Sequence, residues 1–135
     1  MKKVQPELVC PCGSGQDYAV CCAVCIDNGA LPDSAEQLMR SRYTAYVLAR
    51  EDYLLRTWHE STRPAQLDLK DSAAVKWLGL RILRCEAGGV EDNAAVVEFV
   101  ARYQVNGRAG RLQEVSQFVR EAGQWLYIDG QITPA

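Results

Sequence analysis

Apolar side chains along the chain change period once, and the change divides the main part of the sequence in two. Behind Pro32, Met39, Tyr43, Tyr46 and Val47 recur at helical spacing, with Leu38, Ala45 and Ala49 on an adjoining stripe. Asp33 with Glu36, or Ser34 with Gln37, supplies a capping-box start, which predicts a helix near 34–49. Glu51 or Asp52 can cap a second helix over 52–59, in which Tyr53, Leu54, Thr57 and Trp58 share a face. Pro64 ends that region, and a weaker helical turn is read near Ala65 to Ser72. From Val75 the period drops to two. Trp77–Arg84, Ala95–Val105, Arg111–Arg120 and Gln124–Asp129 are β-rich runs, separated by the turn signals Ala87-Gly88-Gly89, Asn106-Gly107 and Ala122-Gly123. Helices placed before four antiparallel strands over 75–129 define an α+β class.

The alternation within the strands predicts their faces. Glu98, Val100 and Arg102 face one side, while Val97, Phe99, Ala101 and Tyr103 face the other. Leu112, Glu114, Ser116 and Phe118 fall together, opposite Val115 and Val119; Trp125, Tyr127 and Asp129 fall together, opposite Leu126 and Ile128. Apolar residues on both sides suit a curved sheet that wraps a core on its concave face.

Residues 1–30 have no such pattern. Pro11, Gly13, Ser14 and Gly15 punctuate them and Asn28-Gly29 closes them, so this stretch builds no core and needs a metal to hold its shape. It is read as a knuckle and connection, 1–30, before an α+β domain, 31–135, each with its own source of stability.

Composition changes the picture mainly at the cysteines. A chain of 135 residues, 48% hydrophobic and 24% charged, can bury one ordinary core. Its net charge of −2 gives no global footprint for nucleic acid, and the local cluster Arg40, Arg42 and Arg50 is diluted by neighbouring acids and reads as a solvated helix face. Met1-Lys2-Lys3 has no apolar h-region behind it, and no run of eighteen apolar residues offers a membrane span, so a soluble cytoplasmic protein is expected. Cys10, Cys12, Cys21, Cys22 and Cys25 crowd into sixteen residues, and Cys85 stands alone. In a reducing compartment such a cluster points to metal rather than disulfides.

The string Cys10-Pro11-Cys12-Gly13-Ser14-Gly15-Gln16-Asp17-Tyr18-Ala19-Val20-Cys21-Cys22 is a C-x-C-x₈-C-C arrangement. Four soft anionic sulfurs suit tetrahedral Zn²⁺, and a set with every position filled leaves no open site for catalysis. An iron site or a redox dithiol is the alternative. Cys25 is close enough to be a substitute ligand or a free thiol and is left outside the set, and Cys85 reads as a small core residue. The string resembles the SEC-C motif, first recognised in the zinc-binding tail of the bacterial preprotein translocase ATPase. Loops of that motif are often lysine-rich near the aromatic position; here Gln16-Asp17-Tyr18-Ala19-Val20 carries no basic residue.

Further strings extend the likeness: Leu38-Met39-Arg40-Ser41-Arg42-Tyr43-Thr44-Ala45-Tyr46-Val47, Thr57-Trp58-His59, Trp77-Leu78-Gly79-Leu80, Phe99-Val100-Ala101-Arg102-Tyr103 and Gly123-Gln124-Trp125-Leu126-Tyr127-Ile128-Asp129-Gly130. Together they resemble the YchJ family of bacterial proteins. The resemblance implies a cone-shaped α+β domain of the nuclear-transport-factor or cystatin-like type behind an N-terminal SEC-C knuckle.

Such cones often enclose a pocket between helices and sheet. Arg42, Tyr46, Trp58, His59, Trp77, Glu98, Arg102, Glu114 and Tyr127 are the candidates to line it. Glu98 and Glu114 on neighbouring strands could act as paired carboxylates, and the lone His59 as a base; the simpler expectation pairs the acids with Arg102 or Arg120 and leaves His59 at a helix end. No P-loop, dinucleotide fingerprint, nucleophile elbow or H-E-x-x-H string is present. A zinc-binding cytoplasmic adaptor that acts by binding a protein or a small ligand is therefore expected. The alternative is a small enzyme using His59, Glu98 or Glu114 as acid or base.

Overall fold

The computed structural model describes residues 9–67, 69, 75–87 and 91–133. Three helices, α1 (Cys22–Ile26), α2 (Ala35–Val47) and α3 (Glu51–Arg56), precede four strands, β1 (Val75–Ala87), β2 (Ala94–Val105), β3 (Arg108–Glu121) and β4 (Gln124–Thr133). The strands form one sheet in the order β1-β2-β3-β4, antiparallel throughout.

Local chemistry accounts for the boundaries. Of the two capping boxes open at the start of α2, Ser34 with Gln37 forms: the Ser34 hydroxyl accepts from the Gln37 amide at 3.1 Å, and the Gln37 side chain accepts from the Asp33 amide at 2.5 Å. Glu51 and Asp52 do not cap α3; Arg50 holds the cap position and the two acids sit in the first turn, where they complement the helix dipole. Ala65–Leu67 make no helical turn, and most of the rest of that segment, with the Gly88-Gly89 signal, lies outside the described residues. The β2–β3 and β3–β4 hairpins each close through two residues in the left-handed region, Asn106-Gly107 (φ 50° and 82°) and Ala122-Gly123 (φ 52° and 78°). That is the type I′ geometry, whose twist matches the sheet.

Helix α2 is the keel of the molecule. Ala35, Leu38, Met39 and Tyr43 pack on Val97, Phe99, Ala101, Phe118 and Trp125 of the concave sheet face. The other side of α2 meets a second core, in which Cys10, Cys12, Cys22, Cys25 and Ile26 pack with Ala45, Tyr53 and Leu54. Burial on both sides explains why Ser41, Arg42 and Thr44 are buried polar residues. The cysteine segment thus shares a core with α2 and α3. This differs from the expectation of two separate sources of stability, because five buried residues of the second core come from the cysteine segment and three from α2 and α3. After α3 the chain pairs with β4: the Tyr127 amide donates to the Thr57 carbonyl at 2.8 Å, and the His59 amide to the Tyr127 carbonyl at 2.7 Å.

Bulges re-aim side chains in a way that alternation alone does not reveal. The β3–β4 register steps from Phe118↔Tyr127 to Gln117↔Asp129, so Ile128 is an extra residue. Asp129 therefore stands on the convex face, away from Trp125 and Tyr127, contrary to the simple pattern. Leu78 and Leu83 are the extra residues of β1, and both are exposed. Cys85 is exposed too rather than a core residue, because it lies near the far end of an edge strand, where it meets the polar first turn of α2 and not its apolar face; its thiol donates to Glu36 at 3.6 Å.

Candidate metal centre

The Cys10-x-Cys12 arm begins the centre. A bridge between Val9 and Asp17 and a bond from the Cys10 amide to the Gln16 carbonyl (2.8 Å) fold the loop back on itself. Gly13 makes the fold possible twice over. Its φ is +83°, and a Cβ there would stand 3.1 Å from the Leu80 carbonyl of β1. A short 3-10 turn, Tyr18–Val20, then delivers Cys21 and Cys22 at the start of α1.

The Sγ atoms of Cys10, Cys12, Cys21 and Cys22 lie within 4.8 Å of one another, and Cys12 and Cys21 are 3.6 Å apart. Tetrahedral zinc with bonds of about 2.3 Å to sulfur requires sulfur–sulfur edges of roughly 3.8 Å, so these four thiols fit such an ion with only small shifts. Cys25 is buried in the second core, outside the four-sulfur group, and burial pushes its thiol up.

Electrostatics favours a cation at this point. Bonds from the Cys10 and Cys22 thiols hold Cys12 far below the ordinary thiol range, while Cys22, next to Cys10 and Cys12, is driven far above it. A divalent ion at this point would favour the thiolate form of crowded cysteines. Neighbouring donors orient the sulfurs. Ser14 Oγ lies 3.1 Å from Cys21 Sγ, and the fully buried Thr44 hydroxyl donates to Cys22 Sγ at 3.2 Å and lies 3.7 Å from Cys10 Sγ. Arg40 Nη1 donates to the Cys12 carbonyl at 2.8 Å. Sequence reasoning missed Thr44, Ser14 and Arg40 in this role. Ser14 was within reach of the motif, whereas nothing local marks Thr44.

A second link ties the knuckle to the helices. Tyr18 donates its hydroxyl to Asp27 at 2.7 Å, and Arg50 pairs with the same carboxylate at 2.6 Å. The Tyr18 bond first, then Arg50, hold Asp27 below the usual carboxylate range. Tyr18 is accordingly half-buried, leaving Gln16, Asp17 and Val20 as the displayed part of the loop. A groove of about 430 Å³ opens beside the centre, with Val20, Cys21, Val24, Gln37 and Arg40 in its walls.

The cone also holds a cavity. Arg42, Tyr46, Trp77, Glu114 and Tyr127 line about 160 Å³ of space between α2 and the concave sheet. Arg42 is almost wholly buried; its Nη1 donates to the Leu54 carbonyl and to Thr57 Oγ1, both at 2.8 Å, and its guanidinium lies 4.9 Å from the Trp58 ring and 4.5 Å from the Tyr127 ring. Trp58 thus stands behind the cavity. Glu114 accepts from Ser116 at 2.6 Å, and its carboxylate occupies the space where a side chain at Gly130 would stand.

His59, Glu98 and Arg102 do not join this group. His59 bonds Ser61 at 2.7 Å and Glu121 at 2.8 Å, well outside the cavity lining. The register pairs Phe99 with Glu114, so Glu98 points to the convex face and the two acids form no dyad. Glu98 pairs with Arg84 at 2.8 Å, not with Arg102 or Arg120.

The fold and the four-cysteine centre define the class: a nuclear-transport-factor-2-like cone carrying an N-terminal SEC-C motif. Residues 34–130 match the description "YchJ, middle NTF2-like domain", and residues 9–23 match the SEC-C motif. The chain belongs to the YchJ family, whose curated relatives are the UPF0225 proteins. That of Chromobacterium violaceum is 52% identical over 132 residues, covering 96% of this chain and 97% of the relative. That of Ralstonia nicotianae is 49% identical over 138 residues, covering 95% and 94%. The solution structure of a SEC-C motif containing protein from Rhodopseudomonas palustris superposes with a TM-score of 0.80 at 33% identity, covering 93% of this chain and 98% of that one. A crystal structure of a SEC-C motif containing protein from Psychrobacter arcticus gives 0.75 at 25% identity, covering 94% and 84%.

Proposed function

We propose that this chain is a zinc-binding cytoplasmic adaptor, in which Cys10, Cys12, Cys21 and Cys22 hold one structural ion and the chain acts by binding rather than by catalysis. The observation that carries the reading is the closed set of four sulfurs, each pair within 4.8 Å, with three of the four cysteines buried. Four thiolates fill a tetrahedron, so the ion has no position for water or substrate and serves to fix the loop. Iron in the same four-sulfur site is the alternative cofactor. A loop fixed in advance lowers the ordering cost of association, and Gln16, Asp17 and Val20 are displayed beside the groove. The partner is a protein or a small ligand. For a small ligand the cone cavity is the place, although about 160 Å³ is less than the roughly 300–1,000 Å³ of drug-sized sites.

The separation of His59, Glu98 and Glu114 supports binding over an acid–base role, since no two of them share a site. No helix among the described residues is long and apolar enough to cross a membrane. The test is affinity capture from cytosolic lysate with intact protein and with a Cys21→Ser/Cys22→Ser variant. Partners retained by the intact chain and lost with the variant support the reading. Turnover of a metabolite that disappears on His59→Ala or Glu114→Gln would overturn it.

A further inference from the structure

The convex face of the sheet carries three arginines that the fold does not use. Arg102 on β2 stands directly opposite Arg111 on β3, and Arg81 on β1 pairs with Val100, one step along the same face. All three are exposed, and none makes an ion pair among the described residues. Arg111 has a single side-chain bond, to Gln113 at 3.3 Å. The neighbouring Arg84, by contrast, is neutralised by Glu86 and Glu98. Like charges set directly across two strands are destabilising, so the fold gains nothing from Arg102 facing Arg111. Gly79, opposite Arg102, has open space where a side chain would stand, and a groove of about 310 Å³ runs between the arginines, Leu83 and Val100. Of the two bulge residues, Leu83 lines this groove and is 41% exposed.

We infer that this face binds an extended acidic polypeptide segment in which acidic and apolar residues alternate. Charge selects the acidic part, and the exposed Leu83 beside Val100 selects the apolar part. Nucleic acid suits the face less well. No aromatic ring among the described residues stands on it for a base to stack upon, and the Glu86–Glu98 pair closes one end of the patch to a longer phosphate chain. A second copy of this chain suits it least, because two such faces repel.

The test uses the full chain and fluorescence anisotropy with three labelled probes: a short peptide alternating Glu and Leu, the same peptide with Ser for Leu, and a short RNA duplex. The Glu–Leu peptide is expected to bind most tightly, and less so as salt rises. Arg102→Gln/Arg111→Gln should weaken it by about tenfold or more, while Arg102→Lys/Arg111→Lys restores most of the loss and Arg63→Gln, off this face, changes nothing. Relief of the like-charge pair should leave the melting temperature of Arg111→Gln equal to or above that of the wild type. Equal binding by the Gln variant, tighter binding of RNA than of the Glu–Leu peptide, or a lowered melting temperature for Arg111→Gln would each overturn the inference.

Discussion

Thr44→Val removes one buried hydroxyl and nearly nothing else. Thr44 is fully buried in α2, and its hydroxyl donates to Cys22 Sγ at 3.2 Å while lying 3.7 Å from Cys10 Sγ. Valine fills the same volume, so no cavity opens, and what is lost is a hydrogen bond to a thiolate of the proposed zinc centre. Bonds to charged groups contribute about 1.5–3 kcal/mol, and loss of such outer partners weakens metal binding by roughly 10–100-fold. The two ranges agree, since a factor of ten is about 1.4 kcal/mol. Titrating the zinc-loaded protein with a chromophoric chelator measures the change directly. Thr57→Val is the control: its hydroxyl serves Arg42 and the Tyr53 carbonyl, so that variant should lose stability but keep its metal affinity. Unchanged affinity in Thr44→Val, or an equal loss in Thr57→Val, would refute the assignment of Thr44 as a positioning residue for the centre.

Three further outcomes are expected. Burial pushes the Tyr43 and Tyr53 hydroxyls up to about 12, above an unfolded value near 10, so the stability held in their neutral forms is complete below about pH 10 and is lost as pH rises towards 12. Up to about 2–3 kcal/mol per group is at stake, and tyrosinate absorbance should rise together with loss of the folded circular dichroism signal, not ahead of it. Arg42→Met removes the 2.8 Å bonds to the Leu54 carbonyl, which keeps only a 3.3 Å side-chain bond from Thr57, and to Thr57 Oγ1, and it removes two ring contacts, which should cost about 2–4 kcal/mol in urea unfolding. Ala122→Asn should raise stability by about 0.5 kcal/mol, because φ of 52° suits asparagine in a type I′ hairpin better than alanine.

The sequence made the elements legible where local chemistry decides them. Ser34 and Gln37 mark the start of α2, Asn106-Gly107 marks a hairpin, and the cysteine spacing marks the centre. What stayed hidden depends on relations between segments distant in the chain. Alternation within β2 and β3 is correct for each strand, yet only the register shows that Glu98 and Glu114 look in opposite directions. The Ile128 bulge reverses the face of Asp129, and no residue type announces it. Alternation likewise turns Cys85 toward the core side, but cannot show that it meets the polar first turn of α2 and stays exposed there. Thr44 reaches the sulfurs across 34 residues, so no motif of the knuckle could include it.

Metal content of the untagged protein, purified without added ions, tests the central claim most directly. Elemental analysis alongside native mass spectrometry should find about one zinc per chain, lost in the Cys21→Ser/Cys22→Ser variant and retained in Cys25→Ser and Cys85→Ser. Metal-free protein, or zinc that persists in the double variant, would contradict it.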